Sequence, residues 1–166
     1  MRPCILALLV ILAACNPSSA SSADADSPTP TQTPDLEALA DAYLQIVDAS
    51  NSVGCGFTEA LRDSPSDLDL VQERARQFAD ATRVAAEALR ELTFPIELQE
   101  HVDGLIESRA RVESDLRAVA ASADSEAVNT AIDRLFEASR QEGSATINAI
   151  RAGLGLPDIS DDVCGR

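Results

Sequence analysis

Two residues of opposite charge, Arg109 and Glu142, stand at positions where the surrounding pattern calls for apolar side chains. When the helical segments described below are aligned antiparallel, both fall at one height with Thr82, and Tyr43 falls one layer away. An isolated buried charge is very costly, so we expect the two charges to form an ion pair inside the fold. This buried polar layer of Arg109, Glu142, Thr82 and Tyr43 could fix the register of the helices, or it could line a pocket for a small ligand. The third alternative is that the assigned helix faces are shifted by one position and that Arg109 and Glu142 are both exposed.

The single histidine, His101, does not complete a recognisable metal or catalytic site. Glu97 precedes it by four residues, but one histidine with exposed carboxylates makes a weak metal site. Di-iron bundles need two Glu-x-x-His units, and Leu98 stands three residues before His101. The sequence has no Ser-His-Asp set, no glycine-rich phosphate loop and no lysine for imine chemistry. We therefore expect no metal, no cofactor and no enzymatic activity.

The chain opens with a short positive start and an apolar run over residues 5–14, which is too short to span a bilayer. These features are typical of a secretory signal peptide. Residues 12–15, Leu-Ala-Ala-Cys, resemble the lipobox of bacterial lipoproteins. The resemblance covers the first 15 residues only. It implies that residues 1–14 are removed and that Cys15 carries a diacylglycerol, which anchors the protein outside the cytoplasm to a bacterial membrane. The alternative is an ordinary signal peptide with an incidental cysteine.

The composition fits one acidic domain on a tether. The formal net charge of −15, with every cation an arginine, argues against binding to nucleic acid or to anionic lipid. Residues 15–34 are rich in Ser, Pro and Thr and contain no large apolar side chain, so we expect a disordered linker. Residues 35–166 have a normal size for a single domain.

The pattern of this domain is helical throughout. Apolar residues recur at spacings of three and four in four segments, 36–60, 68–92, 98–119 and 128–153. Ser64-Pro65 is typical of a helix start, Pro95 separates the second and third segments, and Gly153 and Gly155 favour an end to the fourth. Short turns between long helices make neighbours antiparallel. The sequence predicts an all-α fold, an up-down-up-down four-helix bundle.

Two cysteines, Cys55 and Cys164, remain in the predicted domain. An exported chain with two such cysteines favours a disulfide between them. The tail from residue 156 would have to climb about 28 Å back along the bundle, and its extended reach is about 30 Å. A nucleophilic Cys55 would need a base, and His101 lies near the other end of the predicted bundle. We therefore expect a tail tethered by the disulfide.

Two classes of function remain open. We favour a non-enzymatic, lipid-anchored bundle that binds a protein or a component of the cell envelope. The alternative is a lipoprotein that binds a solute or a metal through the layer of Arg109 and Glu142. An enclosed cavity at that layer would favour a solute, whereas an exposed apolar patch over a continuous core would favour a partner.

Overall fold

The computed structural model describes residues 35–159 and Cys164, apart from the side chains of residues 138–143. Four helices make up most of this part: α1 (Leu36–Asp63), α2 (Leu68–Glu91), α3 (Ile96–Ala120) and α4 (Ser125–Gly153). The described ranges contain no strand, so the prediction of an all-α fold is confirmed. None of these helices is both long enough and apolar enough to cross a membrane. The signal peptide, the linker and Cys15 lie outside the described residues.

Aspartates begin three of the four helices. The Asp35 carboxylate accepts from the first turn of α1, and the Asp124 carboxylate accepts from the backbone N–H of Ala127 in α4. The start predicted for α2 at Ser64-Pro65 is wrong by a few residues, because Asp67 caps this helix. Residues 64–67 instead form a β-turn, in which the backbone N–H of Asp67 donates to the Ser64 carbonyl. Pro65 occupies the second position of this turn, which proline favours.

The helices pack in chain order as an up-down bundle. Close contacts join α1 to α2, α2 to α3 and α3 to α4, whereas no comparable contact joins α1 to α4 in the described part of the chain. The inner face of α2 carries four buried alanines, Ala75, Ala79, Ala85 and Ala86. Small side chains let α2 approach its neighbours closely, and the open edge of the bundle lies between α1 and α4.

The core consists of two apolar clusters. One contains Tyr43, Leu89, Leu98, Val102 and Ile150, at the end where α1 and α3 begin. The other contains Phe57, Val71, Leu116, Val128 and Leu135, at the opposite end. The residues between the two clusters in α1, α2 and α3 include Ser50, Thr82 and Arg109. A polar layer therefore separates the clusters at mid-height.

The buried face of α4 drifts along the helix. Val128 and Leu135 are buried as their spacing predicts, but near the end Ile150 and Leu154 are buried, whereas Ala149 is only partly buried and Gly153 is exposed. A straight α-helix turns every 3.6 residues, so a strict seven-residue repeat rotates off the inner face by about 20° per heptad. Ala149 is therefore only partly buried, whereas Gly153 still packs closely against the Leu98 side chain of α3.

The C-terminal tail returns along the bundle as predicted. Cys55 of α1 and Cys164 form a disulfide, and their Cα atoms lie 5.6 Å apart, within the usual range. The bridge closes a loop of 109 residues. In the chain-entropy model a loop of this length stabilises the fold by about 4–5 kcal/mol. The prediction of a tail tethered by a disulfide is confirmed.

Candidate ligand-binding cleft

A cleft of about 770 Å³ occupies the open edge between α1 and α4. Its volume lies within the range of small-molecule sites in proteins. One wall belongs to α1, which contributes Val47, Asn51 and Ser52; the other walls are formed by α4 and the tail. The cleft exists because the tail, rather than a close α1–α4 contact, covers this side of the bundle.

Arg109 reaches the cleft from α3, and its partly buried side chain crosses to α1. One guanidinium nitrogen, Nη1, donates to the Ser50 hydroxyl at 3.0 Å. Burial lowers the pKa of Arg109, because desolvation disfavours the charged form, yet an arginine still keeps its charge at neutral pH. Among the described side chains no carboxylate forms an ion pair with Arg109. The group is a cation whose other N–H donors need acceptors.

Tyr43 lies in the floor of the cleft and is fully buried. Its hydroxyl has no hydrogen-bond partner among the described residues. Burial raises the pKa of Tyr43, and the positive charges of Arg151 and Arg109 partly oppose that rise. The hydroxyl is therefore a neutral donor at pH 7, and it lies within electrostatic reach of two guanidinium groups.

Arg151 enters the cleft from the last turns of α4. Its Nε donates to the Pro157 carbonyl at 2.6 Å, which fixes both the side chain and the start of the tail. A guanidinium has five N–H donors, so this bond leaves most of them available. Farther along the tail, the backbone N–H of Ile159 donates to Asn148 Oδ1 at 3.1 Å. These bonds hold Ile159 as a wall of the cleft.

The positive charges of the cleft are more buried than its described negative charges. Arg109 and Arg151 are partly buried, whereas the two carboxylates that line the cleft among the described residues, Asp48 and Glu59, are exposed at its rim. A cation weakly hydrated by burial interacts more strongly with an anion than an exposed charge does. The inner part of the cleft therefore favours one anionic group, and the rim disfavours further negative charge.

The structure brings together some of the residues predicted for the polar layer. Arg109 and Tyr43 line the same cleft. Thr82 is fully buried, and its hydroxyl also has no hydrogen-bond partner among the residues that the structure describes. It lines neither this cleft nor the second cavity described below. The Glu142 side chain lies outside the described residues, so its pairing with Arg109 stays a prediction.

Other residues matter less or were missed. His101 is exposed on α3, and the described residues hold no group of three or more potential metal ligands. Arg151 was not predicted as a site residue, because an arginine in the last turn of a helix is ordinarily explained by the helix dipole. The sequence could have indicated Arg151 only through Ile147, which lies one helical turn earlier on the same face of α4 and also lines the cleft.

Comparison of the chain with models of known families, with curated proteins and with solved structures finds no match. The cleft is therefore the feature from which a function is inferred.

Proposed function

We propose that this protein is a non-enzymatic binding protein that holds a small anionic solute in the cleft between α1 and α4. The observation that carries the proposal is the buried Tyr43 hydroxyl, which has no hydrogen-bond partner in the described part of the chain and lies near two guanidinium groups. An unpaired buried hydroxyl costs free energy, and an anion bound at the guanidinium groups would supply its acceptor. We further propose that the lipid on Cys15 tethers this domain outside the cytoplasm to a bacterial membrane.

A monocarboxylate fits the site better than a phosphate. A carboxylate has two oxygens, one for the Arg109 guanidinium and one for the Tyr43 hydroxyl, and charge-assisted bonds of this kind are strong. The Tyr43 hydroxyl has no accessible surface in the unliganded fold, so it has to turn toward the cleft when the carboxylate binds. A phosphate dianion would bring a second charge and a third oxygen toward the rim, where Asp48 and Glu59 repel it. The net charge of −15 disfavours a dianion as well.

Two features favour solute binding over the other functions considered. The exposed large apolar side chains of the described surface, Leu36, Val84, Ile96 and Phe136, lie on four different helices, so no helix presents an apolar stripe to a partner. Cys55 is bonded to Cys164 and offers no thiol to the cleft. The expectation of a protein or envelope partner stays a prediction, and the cleft favours the alternative.

The test is a titration of the isotope-labelled domain with butyrate and with inorganic phosphate, followed by amide chemical shifts. We expect butyrate to give saturable shifts around Val47 and Ile147, and phosphate to give weaker ones. The variant Arg109→Met should lose these shifts. Arg109→Lys, which keeps the charge but not the forked donors, should bind with intermediate affinity. Arg83→Met is the matched control, because Arg83 is exposed on α2 and pairs with Glu87.

Two outcomes would contradict the proposal. One is butyrate binding that Arg109→Met leaves unchanged, since the anion would then bind elsewhere. The other is no butyrate binding by the wild-type protein together with binding by Glu142→Gln. In that case the Glu142 carboxylate would occupy the Arg109 guanidinium, and the layer would be structural.

A further inference from the structure

A second cavity, of about 250 Å³, lies on the other side of Arg109. Its lining is mainly apolar and includes Phe57, Phe78, Leu105 and Val112. The Thr58 hydroxyl at its edge donates to the Gly54 carbonyl at 3.1 Å, so this polar group is already satisfied. The cavity thus has the character of a site for hydrocarbon.

Arg109 and Ile147 line both this cavity and the cleft described above. The two spaces therefore adjoin at these two side chains, one of which is the cation that we propose as the anion-binding group, and a ligand that occupies both spaces has to pass between them. A ligand whose charged group lies at Arg109 has its other end directed either toward the polar rim or toward the apolar cavity. Burial in the cavity is favoured for an apolar end, at about 25 cal/mol per Å² removed from water.

Two glycines shape the apolar cavity. A Cβ atom on Gly54 would lie 2.8 Å from Phe78 Cζ, so the absence of a side chain there allows the Phe78 ring to reach α1. The ring lies beside Phe57, with centroids 6.1 Å apart. A Cβ on Gly104 would meet only Thr146 Cγ2, at 4.0 Å. Gly104 therefore leaves space that a side chain would fill.

We infer that the ligand is an amphipathic monocarboxylate, with its carboxylate at Arg109 and a short hydrocarbon chain in the apolar cavity. This inference rests on the proposed function and specifies the ligand class of that site. An apolar cavity of about 150 Å³ accommodates benzene, so the larger cavity here suits a chain of somewhat more than six carbons. A long acyl chain exceeds this space, and a bare polar acid leaves it unused.

The test is a chain-length series of acetate, butyrate, hexanoate and octanoate, titrated calorimetrically into the wild-type protein and three glycine variants. Each buried methylene should tighten binding by about fourfold, so octanoate should bind at least tenfold more tightly than butyrate. Gly104→Leu places a side chain in the cavity and should abolish this dependence on chain length while butyrate binding is retained. Gly104→Ala should reduce the dependence partly.

Gly56→Ala is the matched control. It makes the same exchange in a helix, and a Cβ there meets nothing within 4 Å. Gly56 lines the cleft but not the apolar cavity, so the quantity compared is the chain-length dependence and not the absolute affinity. Its chain-length dependence should equal that of the wild-type protein. Circular dichroism confirms folding, and if Gly104→Leu does not fold, Gly104→Ala carries the comparison.

Each other outcome has a distinct meaning. Equal affinity at every chain length, with binding still lost in Arg109→Met, would overturn this inference and leave the proposed function intact. A chain-length dependence unchanged in Gly104→Leu and Gly104→Ala would also overturn it, since the hydrocarbon would lie elsewhere. No binding of any acid in the series at millimolar concentration would overturn both proposals.

Discussion

Replacing Tyr43 by phenylalanine separates the stability of this domain from the ligand binding that we propose. The substitution removes a fully buried hydroxyl that has no described hydrogen-bond partner and keeps the ring that packs in the core cluster. A buried polar group without a partner costs about 1–3 kcal/mol, so Tyr43→Phe should raise the free energy of unfolding by about that amount. For the roughly 125 described residues, 1 kcal/mol corresponds to roughly 4 °C in Tm.

The same substitution should weaken ligand binding. In the proposed complex the carboxylate accepts from the Tyr43 hydroxyl, and a neutral donor to a charged acceptor contributes about 1.5–3 kcal/mol, or roughly a tenfold change in affinity or more. Urea unfolding and calorimetry with octanoate measure the two effects. Thr82→Val is the matched control, because Thr82 carries the second buried hydroxyl without a partner and lines neither cavity. It should stabilise the fold without altering affinity.

Destabilisation of the domain by 1 kcal/mol or more in Tyr43→Phe would refute the prediction, because about 1 kcal/mol is what one ordinary hydrogen bond contributes to stability. That result would mean that the hydroxyl has a partner in the folded protein. Greater stability with unchanged octanoate affinity would contradict the ligand contact alone.

Four further predictions concern the pKa of Tyr43, the disulfide, the lipid anchor and the Arg109–Glu142 pair. Burial raises the pKa of Tyr43 above its ordinary value of 10.0, so above pH 10 the folded protein keeps a proton that the unfolded chain releases. The free energy of unfolding should therefore be constant just below pH 10 and decline above it. Urea unfolding should show no such decline for Tyr43→Phe. Cys55→Ser should lower the unfolding free energy by about 2–5 kcal/mol and weaken octanoate binding, because the tail forms part of the cleft; unaltered calorimetry would contradict this. Cys15→Ser should move the protein out of the membrane fraction, and normal lipid labelling of that variant would disprove the anchor. If Arg109 and Glu142 pair, Arg109→Met and Glu142→Leu should each destabilise by about 3–5 kcal/mol and the double variant should recover much of the loss, whereas small additive changes in Tm would indicate no buried pair.

Much of the helical architecture could be predicted from the sequence, because it depends on local rules. Spacings of three and four place Tyr43, Phe57 and Leu116 in the core, and proline and glycine mark the ends of segments. The errors have equally local causes. Asp67 rather than Ser64 caps α2, because residues 64–67 form a turn that accommodates the proline before the helix begins.

The candidate site could be predicted only in part. Arg109 could be predicted because its charge interrupts an apolar seam, which indicates a polar side chain on the inner face of α3. The open edge between α1 and α4 depends on how the four helices pack together, and the pattern within a single helix contains no such information. Arg151 joins the site only because the tail returns past it, and that path depends on the disulfide.

The spectrophotometric titration of Tyr43 in the absence and presence of saturating octanoate tests the central claim most directly. The chain has one tyrosine and no tryptophan, so the tyrosinate absorbance reports this residue alone. A carboxylate bound beside the hydroxyl adds negative charge and accepts its proton in a hydrogen bond, and both effects disfavour tyrosinate. The account predicts that octanoate moves the titration midpoint of Tyr43 to higher pH. An unchanged midpoint at saturation would contradict it, because the carboxylate would then lie away from Tyr43.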